Sequence, residues 1–130
     1  MNATRAITTG ALLMGLAVGL GAFGAHALKA DLLRLDTLDL WHTAVRYQAW
    51  HALALILLGV LTSQPERNEL GRLTGWLLFG GALLFAGSLY GLALDPSATW
   101  LGPITPLGGL LLLAGWVGFA RLGPAIQITR

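Results

Sequence analysis

The sequence predicts an all-α membrane protein: a four-transmembrane-helix bundle whose second helix is extended by an amphipathic N-terminal part. Three observations carry this. First, the 130 residues are 55% hydrophobic and 11% charged, with a mean hydropathy of +0.70, whereas soluble domains are about 25% charged. A soluble fold of this size keeps too much area exposed to hide that much apolar surface. Second, residues 6–28, 47–65, 73–94 and 96–120 contain no Asp, Glu, Lys or Arg, and each run reaches the roughly 18 residues of a spanning helix. Third, these runs leave little chain over, so 1–130 reads as a single membrane domain with spans at about 6–28, 44–63, 73–94 and 103–120.

Composition excludes several functions. The chain has no cysteine, so disulfides and thiolate metal sites are ruled out. Its eight basic residues are scattered at segment ends, and a nucleic-acid partner is not expected.

The first span ends in GAFGAHALK, residues 21–29. Ala25-His26-Ala27 after an apolar run has the look of a signal-peptide cleavage site, but the run exceeds the usual 7–15 residues, and a retained helix is expected. At 100° per residue Ala11, Gly15, Gly19, Ala22 and His26 form one stripe. Gly15-x-x-x-Gly19 is a spacing that lets helices approach closely in lipid, so this stripe, His26 included, is expected to be a packing face. Gly24 is a further small position near its end.

The connection over residues 28–46 alternates leucines with charges and holds no Gly or Pro. Asp36 is expected to cap a helix beginning at Thr37, with Asp39 near its positive end. That helix runs to Leu61, amphipathic at first and apolar afterwards, its first turns lying at the interface or over the bundle mouth. Asp39, Thr43, Arg46 and Trp50 share its outward face; Ala44, Gln48, His51 and Leu55 share the opposite one, with Tyr47 beside His51. His26 and His51 are expected at similar depth. Trp41, Trp50, Trp76, Trp100 and Trp116 read as interfacial anchors.

The third span carries a glycine stripe of Gly80, Gly87 and Gly91, and the fourth adds Gly108 and Gly115. Before the fourth, Pro103 and Pro106 disfavour helix at the residues preceding them. Thr105 is expected to cap a short helix from Pro106 to Ala120, leaving residues 100–105 as non-helical backbone at the membrane edge. A weak echo links residues 21–28 to 87–94 and Trp50 to Trp116, at an offset of 66.

With four spans, both termini and the loop over residues 64–72 share one side. That side holds Arg5, Arg67, Arg72, Arg121 and Arg130 against Lys29, Arg34 and Arg46, which favours cytoplasmic termini.

Inward polar groups within a membrane are functional candidates: here His26, Tyr47, Gln48, His51, Ser88, Tyr90 and Thr105. They can be an interhelical hydrogen-bond network, a proton or small-ligand site, or a metal or haem site at the two histidines. The last is the poorest match, because no carboxylate or thiol lies in the spans to complete a ligand set. Four motifs together, GAFGAHALK, TAVRYQAWHALAL (43–55), GSLYGLAL (87–94) and GPITPLGGLLLLAGW (102–116), resemble the YgdD-type family of small bacterial inner-membrane proteins. This is a domain-of-unknown-function family with eukaryotic relatives. The resemblance covers essentially the whole chain. It implies four spans and a retained first helix, implies no activity, and points to Gly24, His26, Tyr47, Gln48, His51, Ser88, Tyr90, Thr105, Pro106 and Gly109.

The functional expectation is an integral inner-membrane protein that is not an enzyme and holds no cofactor. It would serve as an accessory, assembly or interaction subunit in a homo-oligomer or larger membrane complex. The alternative is a small transporter or channel using His26 and His51 for proton or ligand handling.

Overall fold

The computed structural model describes residues 1–63 and 68–122. The five helices among them are α1 (Ala3–Ala25), α2 (Lys29–Arg34), α3 (Leu38–Leu61), α4 (Asn68–Leu94) and α5 (Ile104–Leu122), with a 3₁₀ turn at Thr99–Leu101 before the last. Four of them, α1, α3, α4 and α5, are long and apolar enough to cross a membrane. The architecture is the expected all-α four-helix membrane bundle.

Its centre is the antiparallel pair α3 and α4; α1 packs on the flank of α3 and α5 on the flank of α4. The two outer seams are close because glycines vacate them. A Cβ added at Gly10 would stand 2.6 Å from the Ala52 carbonyl oxygen, and one at Gly59 would stand 2.7 Å from the Ala3 carbonyl oxygen. On the other flank, Gly81 faces Leu112, Gly108 faces the Phe85 backbone, Gly115 faces Leu78 and Gly118 faces Thr74. In lipid, where no hydrophobic force drives helices together, such close approach supplies the van der Waals attraction.

The face of α1 that packs is therefore Ala6, Gly10, Leu13, Ala17 and Gly24. The expected stripe is corrected: Gly15 and Gly19 have nothing within 4 Å of an added Cβ, and His26 is exposed. Small residues line both sides of α1, and those recurring every seven residues (Gly10, Ala17, Gly24) take the seam. In α4, Gly91 meets Leu101, whereas Gly87 faces open space and Gly80 only grazes Leu111. The offset of 66 does not carry into packing either: Gly81 is wedged against Leu112 while its counterpart Gly15 is free.

The 28–46 connection divides. After α1 the chain makes the short helix α2, then reverses through Asp36, whose φ of 57° is left-handed. Asp36 thus does not cap α3; Thr37 takes the cap position, and its hydroxyl donates to the Ala93 carbonyl at 2.7 Å instead. Leu32 is fully buried against Trp41 and Ala93, so α2 folds over the bundle mouth. Trp41 is also no interfacial anchor. It is 2% exposed, fills the place Gly24 leaves and donates to the Leu20 carbonyl at 2.9 Å. The other four tryptophans are exposed.

The fourth span is longer than expected, because α5 begins at Ile104. Thr105 lies inside its first turn and is not a cap, and residues 99–101 are helical in the 3₁₀ sense. Pro106 fits there because first-turn N–H groups have no intrahelical partner to lose. On the opposite side of the bundle, the Met1 ammonium donates to the Arg72 carbonyl at 2.7 Å. Burial, then Arg72 and Arg5, hold its pKa below the ordinary 8.0. Arg67 and Arg130, used in the charge count, lie outside the described residues, as do residues 64–67 of the 64–72 loop, while 68–72 form the start of α4.

Candidate functional site

The inward polar residues resolve into two groups. Gln48, 4% exposed, bridges three helices: its amide donates to the Leu13 carbonyl of α1 at 2.8 Å, and its carbonyl accepts from the Tyr90 hydroxyl of α4 at 3.0 Å. Tyr90 also meets Trp41 edge-on, their centroids 4.8 Å apart. Ser88 and Thr105 pair at 2.7 Å across the α4–α5 seam, and Ser88 donates to the Phe85 carbonyl as well. These contacts join helices. A polar atom in hydrocarbon has no water to turn to, so it finds its partner on a neighbouring helix.

The second group surrounds His51. Its Nε2 accepts from the Trp116 indole N–H at 3.1 Å, and its Nδ1 lies 2.7 Å from the Tyr47 carbonyl. An indole N–H only donates and a backbone carbonyl only accepts. The pairing therefore fixes the neutral ring with its proton on Nδ1. Tyr47 stacks on Phe85 with centroids 4.4 Å apart and contacts Trp50 at 5.3 Å and the His51 ring at 6.0 Å. Trp116 thus reaches from α5 to α3, its ring edge-on to His51 with centroids 6.0 Å apart.

Between α3 and α5 this leaves a cleft of about 800 Å³, lined by Tyr47, Trp50, His51, Phe85, Pro106, Gly109, Leu110, Leu112, Leu113 and Trp116. Four residues to which the family resemblance pointed, Tyr47, His51, Pro106 and Gly109, converge on it.

His26 does not join either group. It forms the exposed C-cap of α1. The seam register, with Gly24 against Trp41 and Gly10 against Ala52, puts His26 level with the start of α3. His51 lies ten residues beyond Trp41, about 15 Å deeper at 1.5 Å per residue. The expected common depth is thus corrected: the hairpin turns early, and α1 ends at Ala25. No group of three or more metal-ligating side chains occurs among the described residues. Sequence reasoning missed the roles of Trp116, Phe85 and Thr37; none has a local signal, because each acts on a helix far away in the chain.

The fold and site define a small polytopic membrane protein with a cross-braced interior and an aromatic cleft between α3 and α5. Residues 20–109 match the family described as a protein of unknown function, DUF423, and the chain belongs to that family. It is 47% identical over 111 residues to the UPF0382 membrane protein SH2409 of Staphylococcus haemolyticus, covering 85% of this chain and 88% of that one. Similarity extends to the UPF0382 membrane protein YwdK of Bacillus subtilis, 43% over 113 residues, covering 85% and 89%. A relative in Schizosaccharomyces pombe, the UPF0382 membrane protein C1782.12c, is 41% identical over 105 residues, covering 78% and 86%. The expected membrane family of unknown function with eukaryotic members is thus the family found. No solved structure matches the chain.

Proposed function

We propose that the protein is a non-enzymatic accessory, assembly or interaction subunit of the bacterial inner membrane, with both termini cytoplasmic. The observation that carries this reading is the outward face of α1, where Gly15 and Gly19 are exposed and meet nothing among the described residues. Glycine costs a helix about 1 kcal/mol relative to alanine, and no contact among the described residues offsets that at these two positions. A small-residue stripe facing lipid offers another helix close approach. The inner polar residues support the same reading, since they brace helix against helix as a scaffold requires. The orientation rests on the arginine excess at the side of the chain ends.

The test is affinity purification at native expression level in mild detergent, with mass spectrometry of what copurifies, for wild type and Gly15→Leu/Gly19→Leu. The double variant has room for its side chains and does not lower the monomer's melting temperature. The expected result is a reproducible membrane complex that the variant loses. A wild type that runs as a lone monomer, or a variant that keeps its companions, overturns the reading.

A further inference from the structure

We infer that the α3–α5 cleft is a binding site for a lipid-soluble molecule with a flat ring bearing a neutral hydrogen-bonding oxygen, a molecule of the quinone or phenol class. This does not rest on the subunit reading, and either can fail alone.

Size comes first. A cleft of about 800 Å³ lies within the 300–1,000 Å³ typical of small-molecule sites. Its shape is actively kept. At Gly109 a Cβ would stand 3.7 Å from the Phe85 ring, so a side chain there fits without a clash but occupies the cleft. Glycine leaves that volume empty at a cost in helix propensity.

The walls then select the ligand. Tyr47 and Phe85 already stack at 4.4 Å, and the exposed Trp50 and Trp116 line the same cleft. Flat π-systems favour offset stacking on such surfaces, whereas an acyl chain gains nothing from ring geometry.

The polar groups exclude a charged occupant. No Asp, Glu, Lys or Arg lines the cleft, and an ion placed there would be desolvated without a counter-charge. What the cleft offers is neutral: the Tyr47 hydroxyl, which has no partner among the described residues, and the His51–Trp116 pair, whose acceptor and donor are bonded to each other at 3.1 Å. A carbonyl or phenolic oxygen can accept from Tyr47, and a carbonyl can compete for the Trp116 N–H. Opening toward the bilayer means the ligand arrives by partitioning into lipid.

The experiment is isothermal titration calorimetry of the full chain in dodecyl maltoside, with empty micelles subtracted. The probes are 2-methyl-1,4-naphthoquinone and its oxygen-free counterpart 2-methylnaphthalene. Wild type should bind the quinone saturably, at one site, at least 5-fold tighter than the hydrocarbon. Gly109→Leu, which fills the cleft, should weaken the quinone at least 10-fold without lowering the melting temperature. Tyr47→Phe should weaken the quinone several-fold and leave the hydrocarbon unchanged. Equal affinity for both probes, or quinone binding indifferent to Gly109→Leu, would show a surface groove filled by bilayer acyl chains and overturn the inference.

Discussion

Two glycines of one helix should respond to the same substitution with opposite sign. Alanine in place of helical glycine stabilises by about 1 kcal/mol through propensity alone. At Gly15 that is the whole effect, because an added Cβ meets nothing within 4 Å. At Gly10 the Cβ would lie 2.6 Å from the Ala52 carbonyl oxygen and 3.0 Å from the Ile56 nitrogen. Both are backbone atoms of α3, so no side chain can rotate away. A carbon needs about 3.3 Å from a carbonyl oxygen, so α1 must retreat from α3 by about 0.7 Å. A gap of roughly 0.5–1 Å forfeits a quarter to a half of each contact's attraction, and overpacking of this kind costs about 1–3 kcal/mol. Propensity cancels between the two variants. Gly10→Ala should therefore be less stable than Gly15→Ala by about 1–3 kcal/mol, roughly 5- to 150-fold in the folding equilibrium. Titration with SDS from dodecyl maltoside micelles, followed by tryptophan fluorescence and far-UV circular dichroism, reads the difference. Equal midpoints, or a higher midpoint for Gly10→Ala, would refute the packing argument.

The same titration checks four more expectations. Gln48→Leu should cost about 1–2 kcal/mol for two interhelical bonds, and Tyr90→Phe should then cost nothing further, although alone it costs about 0.6 kcal/mol. Gly24→Ala should destabilise by about 1–3 kcal/mol through its clash with the Trp41 indole, and Trp41→Phe in the same chain should recover much of that loss. Thr37→Val should cost about 0.6 kcal/mol and make amides around Ala93 exchange faster with deuterium. The Met1 amine has a folded pKa depressed below 8.0, so the folded state binds fewer protons. Stability should be complete above pH 8 and fall as pH drops toward the folded pKa, a trend that Nα-acetylation should abolish.

The number of spanning helices was legible because a charge in hydrocarbon is costly, so the apolar runs between charges count the spans. The helix ends were not, since α1 stops at Ala25 and α3 and α4 take charged residues into their first turns. That Gln48 and His51 point inward followed from the same physics, since Asp39 and Arg46 claim the other face of α3. Faces of α1 were not legible. Its small residues form two stripes, and only the register against α3 decides that Gly10 and Gly24 are pressed while Gly15 and Gly19 are free. Trp41 misled for a related reason: tryptophan on average marks the interface, but this one has a slot made by Gly24, seventeen positions earlier in a different helix. The pairings Ser88–Thr105, Tyr90–Gln48 and Trp116–His51 join residues whose need for a partner was evident and whose partner was not. The cleft was the least visible feature, because it is the space left between α3 and α5 when each packs on α4.

All three seams join spanning helices that follow one another in the chain, but it is the two outer ones that glycines seal most tightly. Gly10 and Gly24 fit α1 to α3, and Gly81, Gly108 and Gly115 fit α4 to α5, each as a complete antiparallel hairpin. The bonds Thr37–Ala93, Tyr90–Gln48 and Trp116–His51, the stack of Tyr47 on Phe85 and the apolar contacts around Ala44 and Ala86 draw the halves together. During synthesis the first hairpin can leave the insertion machinery and settle before the second is made. The polar atoms of Thr37 and Gln48 then wait in the bilayer as docking points for the late-arriving half. Buried as they are, Gln48 between the helices and Thr37 at the bundle mouth, they make a built-in check that a second hairpin, correctly registered, has arrived.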